Sequence, residues 1–120
     1  MFKEIMLGDK TLKLLANGAT PYRYKQVFHK DVMKVLFNQD EAEISEIAAE
    51  LAYIMNAQAI NAEDAKKSIS TLNFDAFIKW LEDFEPLTFS MASDEIYNVF
   101  TSGALTSQKS KKKSEEPNEK

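Results

Sequence analysis

The sequence predicts a mainly α-helical fold, in which about five short helices follow a short N-terminal β-hairpin and precede a disordered C-terminal tail. Between residues 20 and 102, apolar side chains recur three and four positions apart, which is the spacing of one helix face. Before residue 16 they instead alternate with polar residues around a Gly-Asp pair. Almost no apolar side chain follows residue 103. We therefore expect one small helical domain over residues 1–103 and a charged tail over residues 104–120.

The hairpin is predicted over residues 2–15. The Gly-Asp pair supplies its turn, and Leu12 and Leu14 alternate with polar neighbours in the second strand. A helix over residues 10–16 is the alternative. An isolated two-stranded hairpin is only marginally stable. We therefore expect it to pack on the helices or to pair through its open edge with a second copy of the chain.

A helical corner is predicted over residues 20–31. Thr20 is expected to cap the first helix, and Pro21 suits the first helical position because its missing N–H group would have no partner there. The inner face of this helix comprises Tyr24, Val27 and Phe28. His29 lies at the corner, where its tolerance of positive φ suits a tight turn. Asp31 is expected to cap a second helix that ends near residue 38. The residues expected to face inward from that helix are Val32, Val35 and Leu36.

The strongest periodic element is a third helix over about residues 41–60. Asp40 and Glu43 stand three positions apart at its start, in the arrangement of a capping box. Its apolar stripe comprises Ile44, Ile47, Ala48, Leu51, Ile54 and Met55. The acidic residues expected on its other faces are Glu43, Glu46 and Glu50. A stripe of this width is typical of a helix that faces a core on one side.

Two further helices are predicted after a polar segment at residues 61–73, which we expect to be a mobile loop or a weak helix. Asn73 is expected to cap the fourth helix, over residues 74–85, and Pro86 separates it from a fifth over residues 87–102. The apolar residues of the fourth helix are Phe74, Phe77, Ile78, Leu81 and Phe84, with Trp80 beside them. Those of the fifth helix are Phe89, Ala92, Ile96, Val99 and Phe100.

Residues that carry catalytic or ligand chemistry are sparse. The chain has no cysteine, and its one histidine, His29, has no partners that would make a triad. Two of the three glycines supply turns and Gly103 stands at the expected C-cap of the last helix, so no glycine-rich phosphate loop remains. Acidic groups at residues 40–43 and 82–85 lack the spacing of a calcium loop. We therefore expect no enzymatic activity, no cofactor and no metal ion.

The charge of the chain is unevenly distributed. The net charge is −4, but five lysines and three glutamates follow residue 103, which leaves ten basic and sixteen acidic residues in the body. An acidic body repels nucleic-acid phosphates, so we expect no nucleic-acid partner. Neither a secretory signal nor an apolar run of about 20 residues is present. These features predict a cytoplasmic protein that does not contact a membrane.

Large aromatic rings are concentrated late in the chain. Between residues 74 and 100 the rings are Phe74, Phe77, Trp80, Phe84, Phe89, Tyr97 and Phe100. Each can bury about 150–250 Å², which is more in total than so small a domain readily encloses. Most of them are expected to form the core. The remainder are expected to form a partner surface or an oligomer interface, where aromatic residues are enriched.

Three segments resemble one known family. Residues 20–31 carry the pattern T-P-x-R-Y-x-x-x-F-x-x-D, residues 47–55 read IAAELAYIM, and residues 77–84 read FIKWLEDF. Together with the N-terminal hairpin and a last helix, their order is similar to that of the tail assembly chaperones of long-tailed bacteriophages and prophages of Gram-positive bacteria. The resemblance covers about residues 1–103. One departure is His29, where the family pattern leads us to expect glycine.

This resemblance implies a protein-binding role. Such chaperones bind the long helical tape measure protein before the tail tube forms around it, and they keep its apolar surface from aggregating. Many are also made in a longer, frameshifted form whose added domain recruits tail tube subunits. It implies action in the host cytoplasm and no place in the mature virion. Candidate contact residues, chosen from their chemistry and expected exposure, are Trp80, Phe84 and Tyr97, with Leu12 and Leu14 if hairpin edges pair between copies.

A small DNA-binding or adaptor regulatory protein is the alternative. In that interpretation the helix pair over residues 21–37 acts as a helix-turn-helix on DNA. The basic residues available to it are Arg23, Lys25, Lys30 and Lys34. This cluster is sparse for a protein that must neutralise several phosphates.

Overall fold

A computed structural model describes residues 1–37, 41–64 and 71–102 of the chain. The fold is mainly helical, with an antiparallel hairpin at its N-terminus, as the sequence predicts. The elements are β1 (Phe2–Leu7), β2 (Lys10–Leu15), α1 (Thr20–Phe28), α2 (Val32–Phe37), α3 (Glu41–Glu63), α4 (Phe74–Leu81), α5 (Thr88–Met91) and α6 (residues 93–102).

The hairpin forms over the predicted residues. Leu7 pairs with Lys10 across the turn, and Gly8 adopts a φ of 67°, which glycine reaches without steric cost. The helical alternative for residues 10–16 is therefore wrong. One face of the hairpin packs on α3 and buries Ile5, Leu7, Leu12 and Leu14. The hairpin is thus part of the core of this domain, which provides the stability that an isolated hairpin lacks.

The outer edge of β2 is covered by side chains of α3. The Asn56 amide donates to the Lys13 carbonyl at 2.9 Å, and the Gln58 amide donates to the Leu15 carbonyl at 2.6 Å. The sheet contains only the two strands in the described part of the chain, so β1 is the strand whose edge remains open.

Helix α3 lies at the centre of the fold. It contacts the hairpin, α1, α4 and α5, and every residue from 47 to 56 is buried. The predicted stripe is buried from Ile47 to Met55, and Glu50, which the sequence places on another face of the helix, is buried as well. Glu50 is only 2% exposed because neighbouring elements cover α3 on several sides. A helix enclosed in this way has no wholly polar face.

The corner between α1 and α2 forms as predicted except at its first residue. Helix α1 begins at Thr20, with Ala19 at the N-cap position, so the prediction that Thr20 caps this helix is wrong. The buried Thr20 hydroxyl instead accepts hydrogen bonds from the Asn17 N–H group at 3.0 Å and from the Gln58 amide at 2.8 Å. The backbone of His29 adopts the left-handed helical conformation, with a φ of 59°. The Asp31 carboxylate accepts from the Met33 and Lys34 N–H groups and so caps α2.

The second half of the chain is more broken than predicted. Asn73 caps α4 by accepting from the Ala76 N–H group at 2.8 Å, as expected. Helix α4 ends at Leu81 rather than residue 85, and the N–H groups of residues 82–84 instead donate to carbonyls three positions back. The predicted fifth helix is divided into α5 and α6 by a break at Ala92. Its predicted core face is nevertheless buried, with Phe89, Ala92, Ile96, Val99 and Phe100 inside.

Several predictions fall outside the described residues. These are the capping box at Asp40, the C-cap at Gly103, the tail over residues 104–120, residues 65–70 of the polar segment, and the inward side chains of Val35 and Leu36. Among the helices that the structure describes, none has the length and apolar character to span a bilayer.

Candidate functional site

A continuous set of ring contacts runs from the core to the surface. We call it the aromatic cluster: Tyr24, Phe28, Tyr53, Phe74, Phe77, Trp80, Phe84 and Phe89. The Phe28 and Phe77 ring centroids are 5.0 Å apart and meet edge to face. At the surface end, the Trp80 ring lies 5.0 Å from Phe84 and 5.4 Å from Phe89. Tilted and edge-to-face pairs at these distances are stabilising.

The surface end of the aromatic cluster is only partly covered. Phe77 and Phe89 are buried, whereas Trp80 and Phe84 are half-buried and Phe74 is 52% exposed. The expectation that some of the late rings remain outside the core is therefore confirmed.

Two open grooves lie along the segment from Glu85 to Met91. The first, the aromatic groove, has a volume of about 300 Å³. It is lined by Ser45, Glu46, Ala49, Leu81, Phe84, Glu85, Pro86, Phe89 and Ser90. Its apolar part comes from the aromatic cluster and α3, and both of its charged side chains are carboxylates.

The second groove, the methionine groove, lies between the hairpin turn and α5 and has a volume of about 380 Å³. It is lined by Met6, Leu7, Gly8, Glu85, Leu87, Thr88, Met91, Ala92 and Glu95. Sequence reasoning did not find this groove. Its lining comes from segments about 80 positions apart, and no local periodicity connects them.

The predicted contact residues are divided between the surface and the core. The rings of Trp80 and Phe84 are brought together, and Phe84 lines the aromatic groove. Tyr97 lies apart on α6, where its hydroxyl donates to the Ile44 carbonyl at 2.7 Å, and burial raises its pKa to about 12. Leu12 and Leu14 are 7% and 0% exposed.

Leu12 and Leu14 were chosen as contact residues in case hairpin edges pair between copies, but the structure does not leave them exposed for such a contact. Their side chains pack in the core of their own chain, so they are not available to a partner. They also belong to β2, whose outer edge already receives the amides of Asn56 and Gln58. Pairing between copies through this strand would break those hydrogen bonds, and only β1 offers an open edge.

A buried polar network connects α1 to α3. The Tyr24 hydroxyl donates to one Glu50 carboxylate oxygen at 2.5 Å, and the Lys30 ammonium lies 3.1 Å from the same carboxylate. Burial raises the pKa of Glu50, although both partners oppose this effect. Burial also raises the pKa of Tyr24, which keeps its hydroxyl protonated as a donor. These contacts tie α1 and the corner that follows it to α3.

The basic cluster of the alternative interpretation is partly engaged within the chain. The Arg23 guanidinium donates to the Gln58 side-chain oxygen at 2.8 Å, and Lys30 is paired with Glu50. Lys25 and Lys34 are exposed. Two free lysines provide little of the phosphate neutralisation that DNA binding needs.

No group of three or more histidine, aspartate or glutamate side chains within residues 1–37, 41–64 and 71–102 is arranged to hold a metal ion. The two grooves offer apolar side chains beside carboxylates.

Comparison with known proteins found no matching family model, no matching curated protein and no matching solved structure.

Proposed function

We propose that this protein is a phage tail assembly chaperone, which binds the tape measure protein in the host cytoplasm, keeps it soluble and helps to recruit tail tube subunits. The observation that carries the proposal is the aromatic groove, where Phe84 and neighbouring Trp80 pack against the core and stay half-buried. An apolar surface of this kind is typical of a protein-binding site.

The order of the elements also supports this proposal. A hairpin precedes a tight helix pair with its corner at His29, and a central helix and an aromatic helix follow. This is the order that the resemblance to tail assembly chaperones implies.

The size of the surface suits transient binding. A contact of about 400 Å² at roughly 25 cal/mol per Å² contributes on the order of 10 kcal/mol before the cost of association. Most of this is lost to the entropy of bringing two molecules together, so one copy binds weakly. Many copies along one long helix bind firmly through avidity, yet each can be displaced by tube subunits.

Co-expression with a tape measure protein tests the proposal. The gene should lie directly upstream of a gene for a very long helical protein, and that protein is the one to co-express. We expect the full chain to keep it in the soluble fraction. Phe84→Ala should reduce the soluble amount, whereas Tyr22→Ala should not, because Tyr22 is 76% exposed on α1 and lies outside the aromatic groove.

Circular dichroism of both variants shows whether the fold is intact. The proposal is wrong if the wild-type chain leaves the tape measure protein insoluble. It is also wrong if the Phe84 and Tyr22 variants, both folded, behave alike.

A further inference from the structure

We propose that the methionine groove binds the apolar face of an amphipathic helix that carries lysine or arginine beside its apolar stripe. This inference rests on the proposed function in taking a helical protein as the natural partner. It adds a second place of binding, next to the aromatic groove, and the charge that the partner must carry there.

The apolar lining of the methionine groove is unusually exposed. Met6 is 60% exposed, Leu87 is 66% exposed and Met91 is 84% exposed. Three large apolar side chains from the hairpin and from the α5 region thus converge on one groove instead of scattering over the surface. Methionine is unbranched and polarisable, so it adapts to partners of differing shape.

The dimensions suit a row of side chains rather than a large compact ligand. A volume of about 380 Å³ lies near the low end of the roughly 300–1,000 Å³ of small-molecule sites. An amphipathic helix presents its anchors three and four positions apart along one stripe, which fits an apolar groove.

The charge around the groove selects for a basic partner. Among the described residues that line it, the charged side chains are Glu85 and Glu95, both carboxylates. The Lys10 ammonium lies over the Phe84 ring, 5.6 Å from its centroid. Lysine or arginine beside the apolar stripe of a bound helix would meet these carboxylates, whereas glutamate there would be repelled.

Two other occupants fit less well. A second copy docked by two-fold symmetry would bring each carboxylate-lined groove against the same groove of its partner, and like charges would oppose one another. The chain's own tail after residue 103 is basic in part, but its only aliphatic side chains are Ala104 and Leu105. It therefore offers too few anchors for an apolar groove.

The test uses two dye-labelled synthetic peptides and the full-length protein. Both peptides carry leucine at every third and fourth position; one has lysine elsewhere and the other has glutamate. We expect the lysine peptide to bind, and the glutamate peptide to bind at least about tenfold more weakly in fluorescence anisotropy. The double variant Glu85→Gln/Glu95→Gln should reduce this difference between the peptides.

A matched pair of variants locates the site. Met91→Asp should weaken binding of the lysine peptide by about tenfold or more, because it replaces an exposed anchor of the groove. Met33→Asp is the control, since Met33 is 40% exposed on α2 and does not line the groove. Both substitutions are on the surface, so circular dichroism should show an unchanged fold for each.

Four results would overturn the inference. The first is equal binding of the two peptides by the wild-type chain, and the second is equal loss in the two methionine variants. The third is a dimer, seen by sedimentation, that Met91→Asp abolishes, which would assign the groove to a second copy. The fourth is tighter peptide binding after removal of residues 104–120, which would show that the tail occupies the groove.

The two proposals fail separately. Peptide binding at the methionine groove together with an insoluble tape measure protein would refute the chaperone function and leave the groove as a helix-binding site. A soluble tape measure protein without peptide binding would refute the groove and leave the chaperone function.

Discussion

The Glu50 side chain shows how the interior of this domain holds a carboxylate. Burial alone would favour the protonated acid, and it raises the pKa of this group above its ordinary value of 4.5. The Tyr24 hydroxyl and the Lys30 ammonium oppose that effect by donating to the two carboxylate oxygens. Lys30 keeps its ammonium partly in water, so the network does not enclose a second charge completely.

Replacing Glu50 with glutamine should flatten the pH dependence of stability. Because the folded pKa is raised, the unfolded chain loses this proton at lower pH than the folded chain does. The contribution of Glu50 to stability is therefore greatest below its ordinary pKa and falls as pH rises towards the folded value. Urea unfolding of wild type and Glu50→Gln between about pH 4 and pH 8 measures the difference.

Glu50→Ala is the control for the hydrogen bond. It removes the acceptor and leaves the buried Tyr24 hydroxyl without its partner, so we expect a loss of about 1–3 kcal/mol across the range. A glutamine variant with the same pH dependence as wild type would contradict the raised pKa.

Replacing His29 with glycine should stabilise the corner between α1 and α2. A left-handed residue with a side chain is sterically disfavoured, and glycine removes that cost, for an expected gain of about 0.5–1 kcal/mol. His29→Val, which is β-branched, should instead destabilise the chain. If urea unfolding placed the glycine variant below wild type, the histidine side chain would have to stabilise the corner itself.

At the scale of elements, the starts of helices were more predictable than their ends. Asn73 and Asp31 carry side chains that cap the next helix, and this local signal is visible in the sequence. The end of α4 at Leu81 and the break at Ala92 depend on how the chain folds back so that Trp80 meets Phe89. Such long-range packing leaves no signal in a periodic pattern.

The residues of the candidate site show the same contrast between local signals and long-range packing. Trp80 and Phe84 were predictable because ring content is visible within one segment. The methionine groove was not, because Met6 and Met91 are joined only by the packing of the hairpin beside α5. The packing of Leu12 and Leu14 in the core was one of two outcomes that the sequence left open, since alternation predicts a buried face without saying what covers it.

Gln58 joins three elements and should be costly to remove. Its amide donates to the Leu15 carbonyl and to the Thr20 hydroxyl, and its oxygen accepts from Arg23. Gln58→Leu would remove the donor to the Leu15 carbonyl and one of the two donors to the buried Thr20 hydroxyl, so we expect a loss of about 2–3 kcal/mol in urea unfolding. The matched control is Gln26→Leu, an exposed position on α1, where the change should stay within about 0.5 kcal/mol. Similar losses in both variants would contradict the role of Gln58 as a junction.

The whole molecule is organised around α3, so we expect local stability to be highest in this helix. Hydrogen exchange in the native state should be slowest for amides of residues 47–56, which are buried and surrounded by other elements. Amides of Thr88–Met91 should exchange sooner, because α5 is a single short turn with an exposed Met91. Exchange of α5 as slow as that of α3 would show instead that the domain opens only as one cooperative unit.

The enclosure of α3 also determines which positions of the chain can be substituted without loss of folding. A substitution scan scored by folding should find an unbroken block of intolerant positions from 47 to 56, without the three-and-four rhythm of an ordinary surface helix. The grooves beside Phe84 and Met91 are free to change with the partner, since exposed positions there carry little of the folding energy. Distant relatives would then share a short internal sequence and differ in their binding surfaces, so the segment that best identifies the lineage is one that touches no partner.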